Sequence, residues 1–177
     1  IKWNSNRKSK KIDSFFERDV IDINVDKIAQ KILQDVKKDG DLGLIKAVKK
    51  YDKTNLDISS IRVNQSEIHD AITIVDDDFK KSAKEVHKRV KKFSEHSMRN
   101  NWSIKTKGNS FLGEKFIPFD RVGAYIPGGT APLVSTALMT VTLAKTAGVK
   151  EIIACSPANN GLLNPYIIYA LNLAGAT

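Results

Sequence analysis

The residues from Arg121 to Pro132 read R-V-G-A-Y-I-P-G-G-T-A-P, and they lead straight into an apolar stretch, Leu133 to Ala147, and then the strand-like Glu151 to Cys155. Val122, Ala124 and Ile126 alternate with Gly123 and Tyr125, which is strand periodicity. Pro127 ends the strand because it has no N–H to give to a ladder. Gly128 and Gly129 then permit backbone angles, and an approach to a ligand, that a side chain would block. Pro132 stands where a first helical turn should begin, with Thr130 shortly before it as a candidate cap. A loop of this kind delivers backbone N–H groups to a helix N-terminus, which attracts anions such as the pyrophosphate of a dinucleotide. The string is not G-x-G-x-x-G, and P-G-G alone equally fits a tight strand-to-helix turn with no ligand.

The elements that must position this loop form one βαβ unit, and open α/β sheets place ligands at the carboxyl ends of their strands. Upstream, residues 26–38 carry Ile28, Ile32, Leu33 and Val36 on one helical face, Asp39-Gly40 breaks the helix, and residues 42–51 resume one. Phe79, Ala83, Val86, Val90 and Phe93 are spaced four, three, four and three, so residues 78–98 should form a long amphipathic helix. Asp76, Asp77 and Asp78 at its start suit the helix dipole. Residues 102–107 and 110–117, joined at Gly108-Asn109, read as a β-hairpin. Residues 164–174 read as a final helix stopped by Gly175. The expected fold class is α/β: a helical N-terminal region with a β-hairpin, residues 1–120, followed at residues 121–177 by the first half of an incomplete Rossmann-like parallel sheet.

Charge raises a different class of function. The net charge of +9 and pI near 9.6 suit a nucleic-acid binder, and Lys81, Lys84, Lys88, Lys91 and Lys92 share the long helix. Glu85 and Arg89, however, form an i,i+4 pair of the favourable sense, and the lysines have no interleaved aromatics to stack on bases, so a solvated face is expected. His87 and His96 are nine residues apart and point to opposite sides of a helix, and His69 has no evident partner. Cys155 closes a strand expected to be buried, as a small apolar filler. A single cysteine excludes an internal disulfide and fits a reducing cytoplasm. The polar, basic residues 1–11 have no apolar core for a signal or a membrane span.

The string RVGAYIPGGTAPLVSTALM (Arg121 to Met139), with Ala147-Gly148 and Cys155-Ser156-Pro157 after it, resembles the signature region of the histidinol dehydrogenase family. Lys31 to Asp52 is similar to that family's N-terminal helical segment, and Gly108 to Pro118 to its approach strand. The family usually has Pro-Ala where Leu143-Ala144 stands, and Phe-His where Phe93-Ser94 stands. The resemblance implies a zinc-dependent homodimer that uses two NAD in succession to oxidise an amino alcohol, histidinol, through the aldehyde to the acid in histidine biosynthesis. It implies Tyr125 as an NAD contact, with Gly128 and Gly129 beside it. The family's zinc ligands, its Glu-His acid and base, and its substrate-binding residues lie in later segments with no matching positions here. The chain is therefore expected to be an N-terminal fragment, inactive alone, with neither nucleic acid nor membrane as a partner. A family member acting on another small polar alcohol, and a non-catalytic basic binding module, are the alternatives. For Tyr125 itself, a strand aromatic packed on the sheet is the alternative to a cofactor contact.

Overall fold

The computed structural model describes residues 10–16, 22–128, 131–158 and 161–177. Helices α1 (Lys10–Phe16), α2 (Ile23–Asp39), α3 (Asp41–Tyr51), α4 (Gln65–Ile74) and α5 (Asp77–Ser97) come first. The hairpin strands β1 (Trp102–Lys105) and β2 (Phe111–Glu114) follow, then β3 (Arg121–Tyr125), α6 (Val134–Thr146), β4 (Glu151–Cys155) and α7 (Pro165–Ala174). The α/β class expected from sequence is the one observed, with the hairpin separate from the parallel pair β3–β4.

Local chemistry accounts for the helix boundaries. Asp76 accepts a hydrogen bond from the Phe79 N–H and so caps α5, as its aspartates suggested. Gly40 has φ of 60°, a left-handed angle that lets the chain leave α2 and enter α3 at once. Asn64 and Glu67 close a reciprocal capping box that starts α4, a helix not foreseen from the sequence. Asn164 caps α7, Pro165 occupies its first position, and Gly175 stops it at φ of 93°. The hairpin strands are shorter than expected: Lys107–Asn109 forms a 3-10 turn between them, and β2 ends at Glu114. Pro132 is not the first residue of α6: that helix starts at Val134 with Leu133 at the cap position, and Leu133 instead gives its N–H to the Pro127 carbonyl. The candidate cap Thr130 lies outside the described residues.

The core lies on one side of the parallel pair. Ile126 and Ile152 are fully buried, and Val122, Ala124 and Ala154 pack beside them against Ala137, Leu138 and Val141 of α6 and Ile167, Ala170 and Leu171 of α7. Helices α5 and α4 close the layer from behind, α5 on α6 and α4 on α7. Phe79 of α5 meets Tyr166 edge to face at 4.7 Å, and the Tyr166 hydroxyl donates to Asp76 at 3.1 Å, tying the start of α5 to the start of α7. The opposite face is open: Arg121, Gly123, Tyr125, Ile153 and Cys155 are all exposed.

Two outcomes follow from this packing. Ile152→Ala empties a fully buried site in the centre of the core, so it should destabilise the chain by about 2 to 5 kcal/mol in chemical denaturation. The Asp76 carboxyl is held below its ordinary pKa chiefly by the Phe79 N–H, with the Tyr166 hydroxyl helping and some desolvation opposing. A depressed folded-state pKa stabilises above the unfolded value and ceases to as pH falls through the folded one. Asp76→Asn should therefore melt below the wild type at neutral pH, and the gap should narrow in acid; a gap that widens in acid would contradict the assignment.

Candidate functional site

The carboxyl ends of β3 and β4 are in register, Tyr125 opposite Cys155. The Ile126 N–H extends the ladder by one more bond, to the Cys155 carbonyl at 2.8 Å. Alternation then decides what each residue offers. Ile126 turns inward to the core, whereas Tyr125 turns outward and is 68% exposed. A strand aromatic packed on the sheet is thus not what the geometry shows, because the ring stands free of the core. Cys155, expected to be a buried filler, is exposed beside it for the same reason.

Beyond Tyr125 the chain passes Pro127 and reaches Gly128, three residues past the end of β3. Gly128 is not among the glycines with left-handed φ. Its missing side chain matters for space instead: a Cβ there would stand 2.8 Å from Ser156 Oγ, 3.3 Å from Ile167 Cδ1 and 3.6 Å from the Pro157 carbonyl oxygen. Gly129 lies outside the described residues. Ser156 follows β4, and its Oγ is shut off from solvent with no hydrogen-bond partner among the described residues. The start of α6 has no side-chain cap at Leu133, and its first turn is tied by backbone bonds instead: the Leu133 N–H donates to the Pro127 carbonyl and the Val134 N–H to the Pro132 carbonyl. Sequence reasoning quoted Ser156 only as part of a C-S-P string. The available signal was its place immediately after the second strand of the unit.

The other candidates scatter. His69 and His96 are exposed, and His96 Nδ1 lies 2.7 Å from the Lys92 carbonyl of its own helix. His87 is half-buried on α5, and burial, followed by the Lys91 charge, pushes its pKa down. Among the described residues no three of His, Cys, Asp and Glu come together as a metal site. Lys81, Lys84, Lys88, Lys91 and Lys92 of α5 are exposed, and the helix carries ion pairs of Arg89 with Glu85 at 2.8 Å and Lys91 with Glu95 at 3.9 Å. No helix among the described residues is long and apolar enough to cross a membrane.

The outward orientation of Tyr125 and Cys155 can be checked without any ligand. Tyr125→Ala should change stability by less than about 0.5 kcal/mol, as exposed substitutions do. The single thiol should react with a thiol reagent in the folded chain about as fast as in the unfolded chain. A protected thiol, or a large loss of melting temperature in Tyr125→Ala, would place both residues in a core instead.

A family model described as histidinol dehydrogenase matches residues 17–177. Histidinol dehydrogenase of Carboxydothermus hydrogenoformans is 32% identical over 170 residues, which is 96% of this chain and 40% of that protein. The Prochlorococcus marinus enzyme is 38% identical over 149 residues, covering 84% of this chain and 33% of that protein. A crystal structure of histidinol dehydrogenase from Elizabethkingia anophelis superposes with a TM-score of 0.80 at 34% identity, over 90% of this chain and 36% of that one. The chain thus spans about 40% or less of the length of these relatives. Since the match runs through the helices, the parallel pair and the loop between them, the chain belongs to the histidinol dehydrogenase family.

Proposed function

We propose that this chain is the part of a histidinol-oxidising enzyme that seats NAD at the carboxyl ends of β3 and β4. The observation that carries the reading is Tyr125, exposed at the strand end beside the side-chain-free backbone of Gly128. An exposed phenol ring gives a flat surface for a nicotinamide or adenine ring. The start of α6, which has no side-chain cap, offers the partial positive charge of its helix dipole to a phosphate. The bare Gly128 is a feature that a nucleotide site would use for close backbone approach, so the residues present fit the cofactor. Bound NAD would accept the hydride lost by the alcohol carbon. The role of this chain is to bind and orient the dinucleotide. Gly129, next in the loop, is assigned to the same seat.

Zinc does not fit the residues described here, which bring no metal-ligand cluster together. We assign the zinc of the family reaction, the acid and base, and the histidinol pocket to the length of the relatives that this chain does not match. The division at residues 120 and 121, a cytoplasmic location and pairing into a homodimer belong to the same proposal. The homodimer has a physical motive: Ile28 and Leu33 of α2 and Leu42 of α3 are exposed apolar residues on a helical pair that packs mainly on itself.

The test is a titration of the chain with NAD, followed in 15N-resolved NMR spectra. Amides of residues 123–128 should shift, and Tyr125→Ala should weaken the affinity on the order of tenfold, about 1.4 kcal/mol, while the melting temperature stays put. The chain alone should reduce no NAD with histidinol and should carry no stoichiometric zinc in elemental analysis. Binding of NAD that is indifferent to Tyr125→Ala would remove that residue from the site. Turnover by the chain alone would overturn the assignment of the chemistry to other segments.

A further inference from the structure

The end of β4 holds a hydroxyl that neither the fold nor the family resemblance assigns. Ser156 Oγ is inaccessible to solvent and has no hydrogen-bond partner among the described residues. A buried polar group in that state costs stability, and replacing it with an apolar group of similar shape is neutral or favourable. What Ser156 does make is a contact. Any Cβ at residue 128 would come within 2.8 Å of its Oγ, closer than van der Waals packing allows.

We propose that Ser156 is a positioning residue for the cofactor loop: its Oγ is a wedge beneath Gly128 that fixes the height at which this backbone meets the dinucleotide. The proposal rests on the reading of the loop as the NAD seat. Three observations make the contact steric. Gly128 lacks a left-handed φ, so its glycine is required by the space that Ser156 occupies and not by backbone angle. The hydroxyl has no bond that would make it a hydrogen-bonding anchor. Both strand ends are fixed just before the contact, since the Ile126 N–H donates to the Cys155 carbonyl at 2.8 Å. The neighbouring wall is Ile167, a fully buried core residue whose Cδ1 would stand 3.3 Å from the same Cβ. An atom added at residue 128 or removed at residue 156 is therefore passed to the loop as a displacement.

The test is a double-mutant cycle in the full chain with Ser156→Ala, Gly128→Ala and the pair together, reading melting temperature and NAD affinity by NMR titration. Ser156→Ala should melt at or above the wild type, because an unpartnered hydroxyl is lost, yet bind NAD several-fold more weakly. Gly128→Ala should lose both stability and affinity. In the double variant the new methyl takes the space that Oγ vacates, so melting temperature and NAD affinity should both recover towards the wild type. Unchanged NAD affinity in Ser156→Ala would overturn the proposal, leaving a packing role only. Weakened affinity in Ser156→Ala with no recovery in the double variant would also overturn it, in favour of a direct bond from the hydroxyl. If wild-type chain shows no shift with NAD, the seat itself falls and the wedge's function with it; non-additive melting temperatures would then still report the steric contact, which separates the two failures.

Discussion

The burial of only one face of a two-stranded parallel sheet governs the rest of this molecule. Parallel strands are ordinarily covered on both faces, and their residues then read as unbroken apolar runs. Here β3 and β4 put Val122, Ala124, Ile126, Ile152 and Ala154 towards the helical layer and leave Gly123, Tyr125, Ile153 and Cys155 facing out. Because neighbouring residues of a strand point to opposite faces, anchoring Ile126 in the core commits Tyr125 to the open side. The same anchor sets where the chain must turn, since Pro127 follows at once and cannot continue the ladder. The position of the ring and the position of the loop thus have one cause.

From that anchor the described ends of the loop take their places. Leu133 returns a hydrogen bond to the Pro127 carbonyl. On its inner side the loop meets Ser156 and Ile167, the first at the end of β4 and the second in the core-facing part of α7. Helix α7 is held in turn by Asn164 at its own cap and by the Tyr166 hydroxyl on Asp76. A residue in α5, some fifty positions before the loop, therefore contributes to the floor on which the loop rests. This is how a mixed layer of helices can position a site none of whose candidate residues is helical.

Much of this was legible in the sequence wherever a single element supplied its own signal. The four-three spacing from Phe79 to Phe93 gave α5, and Gly175 gave the stop of α7. Helix α4 was missed although Asn64 and Glu67 spell a capping box, because its apolar residues Ile68, Ala71 and Ile72 are too few to form a conspicuous stripe. The first turn of α6 was misplaced by two residues because Pro132 fits a first helical position by propensity, while the Leu133 bond to Pro127 delays the helix. The exposure of Cys155 was beyond local reasoning. An alternating strand fixes which residues share a face, but only the packing of α6 and α7 decides which face is covered. Ser156 was hidden for the same reason, since its distinction is a contact with a residue twenty-eight positions earlier.

The two edges of the sheet are not equivalent, and the difference bears on where a ligand can sit. On the outer edge of β4 the chain has already returned: the Thr177 N–H donates to the Ile152 carbonyl at 2.9 Å, and the Ile152 N–H donates to Thr177 Oγ1 at 3.0 Å. The outer edge of β3 has no strand beside it among the described residues, and a groove of about 410 Å3 lined by Phe119, Val122, Leu143 and Val149 runs along it. Crossovers that proceed from β3 to β4 and on to Thr177 move steadily away from that edge. Any strand that paired with β3 there would arrive by a connection running the opposite way, and such a reversal opens a crevice at the carboxyl end of the strand it flanks. That end carries Tyr125 and Gly128. A strand added at that edge would thus agree with the proposed seat, which rests separately on an exposed ring beside a bare backbone.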